Sequence, residues 1–268
     1  MKDQVRPFSP LVSRLVPAVM LMCSLASAQS MSPSGSYGVL LNASYSDLSN
    51  NNGFVVLAVL NFGGAGSVTG TYTVELGDSP TQTSQPISGT FTGTYSGNPD
   101  GTGTLTTVAD NGTTFTFATA MTDGGQGIQM VATNCSGGCD VGGTTIISGV
   151  ARAAYNGSLN GSYGFQFTNS PIPAASVGVA SFDGAGNVTQ SLTFVGISGT
   201  VGQPSLFTGT QTGTYSLNSD GSGEMKFVAP NVNTQTFVFV VTDGGSGILL
   251  LQTNRAGNGV SFGTARRQ

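Results

Sequence analysis

The chain has 268 residues, 41 of them glycine, with 8 Lys and Arg against 12 Asp and Glu, a net charge of −4 and no histidine. With no basic patch to neutralise phosphates, nucleic acid is not an expected partner. Without imidazole, Ser-His-Asp and Cys-His nucleophiles and histidine-based zinc sites are excluded.

In chain order, residues 1–28 read as a signal peptide. Lys2, Arg6 and Arg14 make a basic start, residues 15–25 are mostly apolar, and Ala26-Ser27-Ala28 is the small-residue pattern of a cleavage site. The apolar run is shorter than the ~20 residues of a spanning helix and no later segment qualifies, so no membrane span is expected. The expected product is secreted, whether extracellular, periplasmic or at the cell surface. In it Lys226, Arg152, Arg255, Arg266 and Arg267 face eleven acids.

After a short linker at 29–33, one pattern is written twice. "GSYGVLL" at 35–41 returns as "GSYGFQF" at 161–167, an offset of 126. "NFGGAGSVT" at 61–69 returns as "SFDGAGNVT" at 181–189, and "GTYSGNPDGTG" at 93–103 as "GTYSLNSDGSG" at 213–223, both at an offset of 120. "GVAR" at 149–152 returns as "GTAR" at 263–266, at 114. A unit of roughly 110 to 120 residues has been duplicated, giving a first repeat at 34–154, a linker at 155–159 and a second repeat at 160–268.

Short alternating runs of Val, Ile, Leu, Phe and Thr between Gly, Asp and Asn turns indicate an all-β chain. In the second repeat the alternation predicts strands near 162–168, 176–182, 187–195, 207–217, 222–228, 234–241, 247–253 and 260–267. Tight Asp-Gly turns follow the second, fourth and sixth of them. Sequential antiparallel strands of this kind close most simply into an eight-stranded up-and-down barrel, so two tandem barrels are predicted, with two β-sandwiches as the alternative. The offset changes add six residues to the first repeat after strands one and seven, on the rim opposite the tight turns, where barrels admit ligands.

That rim carries Asp47, Asp78, Asp110 and Asp140, a candidate cation or polar-ligand site. Cys135 and Cys139 fall in the lengthened last loop, where an exported chain would form a disulfide. Predicted inward residues that could line a ligand pocket are Phe115, Phe117 and Met130 in the first repeat, and Phe165, Phe167, Phe237 and Phe239 in the second. "NPDGTG" and "NSDGSG" lack the closing glutamate of a calcium loop and read as hairpin turns. Lys226 stands alone as a base, so no catalytic residue, metal or cofactor is assigned. Strands at 54–62, 237–241 and 247–252 are apolar on both faces, which predicts that the two barrels pack against each other, with self-association or a partner as the other cover.

Gly35-Ser36-Tyr37 and Gly161-Ser162-Tyr163, with Arg152 and Arg266 in the last strands, resemble the lipocalin and avidin group of meander barrels. There a Gly-x-Trp opens strand one and a basic side chain lies across the indole; Tyr replaces Trp here. The repeats also resemble uncharacterised secreted bacterial β-repeat proteins reading G-x-Y-x-F and then F-x-x-D-G-x-G. The first resemblance implies a cation stacked on each tyrosine and a small apolar molecule held inside a barrel. The expected function is that of a secreted, non-enzymatic binding protein for such a molecule or for a cell-surface component. An adhesive or structural module acting through loops and outer faces is the alternative.

Overall fold

Period-two alternation gives each strand one apolar face, and a sheet that closes on itself buries every such face without leaving an open edge. The computed structural model describes residues 32–45, 53–77, 86–137, 145–170, 174–198, 203–228, 234–254 and 260–268, and it contains two such closures. The expected signal peptide lies outside the described residues.

The first barrel runs β1 (Gly35–Tyr45), β2 (Phe54–Phe62), β3 (Ser67–Leu76), β4 (Ile87–Gly97), β5 (Thr102–Ala109), β6 (Thr114–Thr122), β7 (Gly127–Ser136) and β8 (Thr145–Ala153). The second runs β9 (Asn160–Ser170), β10 (Ala174–Asp183), β11 (Asn187–Ser198), β12 (Gln203–Leu217), β13 (Ser222–Val228), β14 (Gln235–Thr242), β15 (Gly247–Gln252) and β16 (Val260–Arg267). Neighbours pair antiparallel in chain order, and β8 closes on β1 as β16 closes on β9. The tandem eight-stranded barrels expected from the repeat are therefore the fold, and the sandwich alternative is set aside.

The tight-turn end of each barrel is packed with aromatic rings. Tyr37 meets Phe62 edge-to-face at 5.3 Å and Phe62 meets Tyr95 at 5.5 Å. The second barrel repeats this with Tyr163, Phe182 and Tyr215, at 5.5 and 5.2 Å. The linker between barrels belongs to the second floor. The Tyr155 amide donates to the Val241 carbonyl at 2.9 Å. Leu159 is buried in the core, and the Tyr215 hydroxyl donates to its carbonyl at 2.7 Å.

The recurring Tyr and Arg do not stack. In register, Arg152 sits opposite Gly38 while Ala153 sits opposite Tyr37, and alternation therefore puts the guanidinium outside the barrel and the phenol inside. Arg266 likewise pairs with Gly164, one residue off Tyr163. Each pair instead holds one turn from two sides. Asp123, Gly124 and Gly125 all take positive φ, at 53°, 63° and 94°, a left-handed run that glycine and aspartate tolerate best. The Tyr37 hydroxyl donates to the Gly125 carbonyl from within at 2.5 Å, and Arg152 pairs with the Asp123 carboxylate from outside. Tyr163 with Gly245, and Arg266 with Asp243, repeat the clamp in the second barrel. Tyr163 is 1 % exposed, so Tyr163→Phe should leave a buried carbonyl unpaired and cost about 1–3 kcal/mol in chemical denaturation. Losing the exposed Arg266 pair should cost under about 1 kcal/mol.

The doubly apolar strands explain how the barrels meet. Leu40, Val55, Leu57 and Val59 of the first barrel form one buried cluster with Val240, Leu249, Leu251 and Val260 of the second. The approach is closest at Gly38, where a Cβ would lie 2.6 Å from Val240 Cγ1. The outer faces that alternation left apolar are covered by the other repeat, as expected.

Candidate functional site

Above its aromatic floor the first barrel is not filled. Ala58 and Ala109 place small residues toward the axis, and a cavity of about 380 Å³ remains. Its wall is formed by Val39, Leu41, Phe54, Val56, Leu60, Phe91 and Leu105, together with the predicted Phe115, Phe117 and Met130. Tyr72, Thr107, Asn111 and Thr113 are its polar contributions, and no charged side chain lines it among the described residues. The cavity reaches the ends of β3 and β6's start, and so lies toward the rim expected to admit ligands.

At that rim Asp110 occupies the β5–β6 turn. Its carboxylate accepts from the Thr90 amide at 2.8 Å and the Tyr72 hydroxyl at 3.0 Å, so it latches the turn to β3 and β4. Chiefly the Thr90 amide, then the Tyr72 hydroxyl, holds this carboxyl below the usual range, while burial above all pushes the Tyr72 phenol up. A depressed folded-state value means that the latch stabilises above the unfolded value of about 3.9 and is lost as pH falls through the folded one. Hydrogen exchange should therefore show a Thr90 amide protected at neutral pH that opens only once the pH has fallen below the ordinary carboxylate range; in Asp110→Ala it should be open in both conditions. Asp47, Asp78 and Asp140 lie outside the described residues. Among the described residues no group of three acids, cysteines or histidines could hold a metal ion. Cys135 stands in β7 as a disulfide-bonded residue, and Cys139 lies outside the described residues.

The second barrel carries a cavity of about 340 Å³ at the same rim, with a different wall. Phe165, Phe167 and Phe237 line it as predicted, with ring centroids 5.3 Å apart for Phe165 and Phe167 and 5.1 Å for Phe167 and Phe237. Phe239 lines neither large cavity. It is fully buried in the packed lower half, where a Cβ on Gly223 would come within 2.3 Å of its ring. The amides Asn169, Gln190, Gln211 and Gln252 also face this cavity, and the sequence reading missed them. The signal was the strand parity: Gln190 is two residues from inward Val188, and Gln211 two from inward Gly213, which pair with each other.

No family model and no curated protein matches the chain. The described residues contain no helix long and apolar enough to cross a membrane. Among solved structures, the crystal structure of CghA with Sch210972 aligns over 88% of this chain and 89% of that one, at 8% identity and a TM-score of 0.24. A likeness at that score carries no argument about ligand or activity, and the two antiparallel eight-stranded barrels are compatible with a calycin-like architecture on their own geometry.

Proposed function

We propose that the protein is an exported, non-enzymatic carrier that holds a small apolar molecule inside its first barrel. The observation behind this reading is the uncharged cavity of about 380 Å³ above a packed floor. An eight-stranded barrel is narrow enough for side chains to fill, and leaving apolar space unfilled forfeits packing. Ala58 on β2 and Ala109 on β5 keep this volume open.

An apolar guest would gain about 25 cal/mol for each Å² it withdraws from water. With no charged group on the wall among the described residues, a charged guest would lose hydration without return. A Cys135–Cys139 disulfide would clasp the last loop at this mouth, contributing about 2 kcal/mol by chain entropy and shaping the rim more than the fold.

The test is titration of the purified protein with 1-aminoanthracene, an uncharged ring amine whose emission rises in apolar surroundings. A saturable rise at one site per chain supports the carrier, and a linear, unsaturable response rejects it.

A further inference from the structure

The second cavity is lined differently from the first. Aligned by the repeat, Gly70 and Phe91, which pair across β3 and β4, correspond to Gln190 and Gln211, which pair across β11 and β12. Ala43 corresponds to Asn169, Ala132 to Gln252 and Ile147 to Ser261. Five positions that are apolar in the first barrel, or glycine, are amide or hydroxyl in the second, and all five replacements face its cavity.

Ser261 Oγ donates to Asn169 Oδ1 at 2.5 Å, but the three glutamines are buried and, among the described residues, only partly satisfied. Gln190, Gln211 and Gln252 are 3 %, 7 % and 7 % exposed. Gln190 Nε2 donates to Gln211 Oε1 at 2.8 Å. Whichever way the two amides are turned, one bond between them leaves one amide NH₂ and one amide carbonyl without a partner among the described residues. Among the described residues no group hydrogen-bonds the Gln252 side chain, so a further NH₂ and carbonyl face the same space. Buried amides of this kind are expensive unless something hydrogen-bonds them. The rings of Phe167 and Phe237 line the same cavity, and no charged side chain lines it among the described residues.

We infer that the second barrel binds a neutral, flat molecule that presents a hydrogen-bond donor and acceptor side by side, the edge of a lactam or cyclic amide, with its ring face on Phe167 and Phe237. The adjacent NH₂ and carbonyl of the glutamine pair match such an edge, and Gln252 supplies further partners for substituents. The chain thus carries two guests of different chemistry, one in each barrel.

The probes are 2-quinolinone, a neutral aromatic lactam, and naphthalene, which has the same shape without the donor–acceptor edge. Binding is followed by ligand-observed NMR in Ala58→Phe protein, whose first cavity is filled, and in wild-type protein saturated with 1-aminoanthracene. The expected result is one site that prefers 2-quinolinone at least tenfold, and loss of that preference in Gln190→Gly/Gln211→Phe, which installs the first barrel's own pair. Equal affinity for both probes, or a preference that survives the double substitution, would overturn the inference. The wild-type arm decides the matter even if the double variant fails to fold. Because the inference rests on the carrier reading only for the barrel architecture, and the Ala58→Phe arm tests the second cavity with the first one filled, failure here is distinguishable from failure of the carrier reading.

Discussion

Ala58→Phe is expected to abolish saturable 1-aminoanthracene binding, lowering affinity at least about 100-fold, or about 2.7 kcal/mol, without loss of fold. Ala58 lies on β2 between Val39 and Tyr72 in register and is 8 % exposed. Its methyl points into the cavity of about 380 Å³. A phenyl ring there occupies the guest's volume and makes apolar contacts that the empty space lacks. Filling a void ordinarily leaves stability unchanged or raises it, which separates this substitution from one that merely damages the core. The checks are the fluorescence titration and a thermal melt on the same sample. A variant that melts like wild type or higher yet still binds would place the guest elsewhere.

Leu251→Asp should part the two barrels without unfolding either. Leu251 is fully buried, yet it lies one residue from inward Leu250 and belongs to the cluster between barrels. A carboxylate there cannot stay docked unpaired, at a cost on the order of 3 kcal/mol or more, but becomes solvated once the barrels separate. Small-angle scattering should show a larger radius of gyration while the β signal in circular dichroism persists. Leu250→Ala, one residue away and facing the interior, should instead destabilise the second barrel by about 2–5 kcal/mol and leave the shape unchanged. If Leu251→Asp scatters as wild type does, the interface described by the cluster is not what joins the repeats.

Much of this architecture is written in the chain because its signals are local. Asp-Gly turns fix hairpins at 123–125 and 243–245, and period-two alternation fixes which residues point inward once one is known. The strands at 54–62 and 247–252, apolar on both faces, announced that something must cover them, and the structure shows the other repeat doing so. What could not be read locally was the partner of each polar group. Arg152 and Tyr37 recur together because both serve the turn at 123–125, but from opposite faces. Proximity in the repeat suggested a stack; parity forbids it. Strand parity turns Gln190 and Gln211 inward, but only the register across β11 and β12 shows that they meet as a pair. Leu159 lies in a linker by sequence and in the floor of the second barrel by packing.

The central claim, that the first barrel carries a small apolar molecule, is tested most directly by native mass spectrometry of the protein purified from its own host without denaturation, before and after organic extraction. The account predicts a discrete added mass that extraction removes and that Ala58→Phe never acquires. Protein that is bare from the outset, and that takes up no 1-aminoanthracene, would contradict it and turn attention to the outer faces and loops as the working surface.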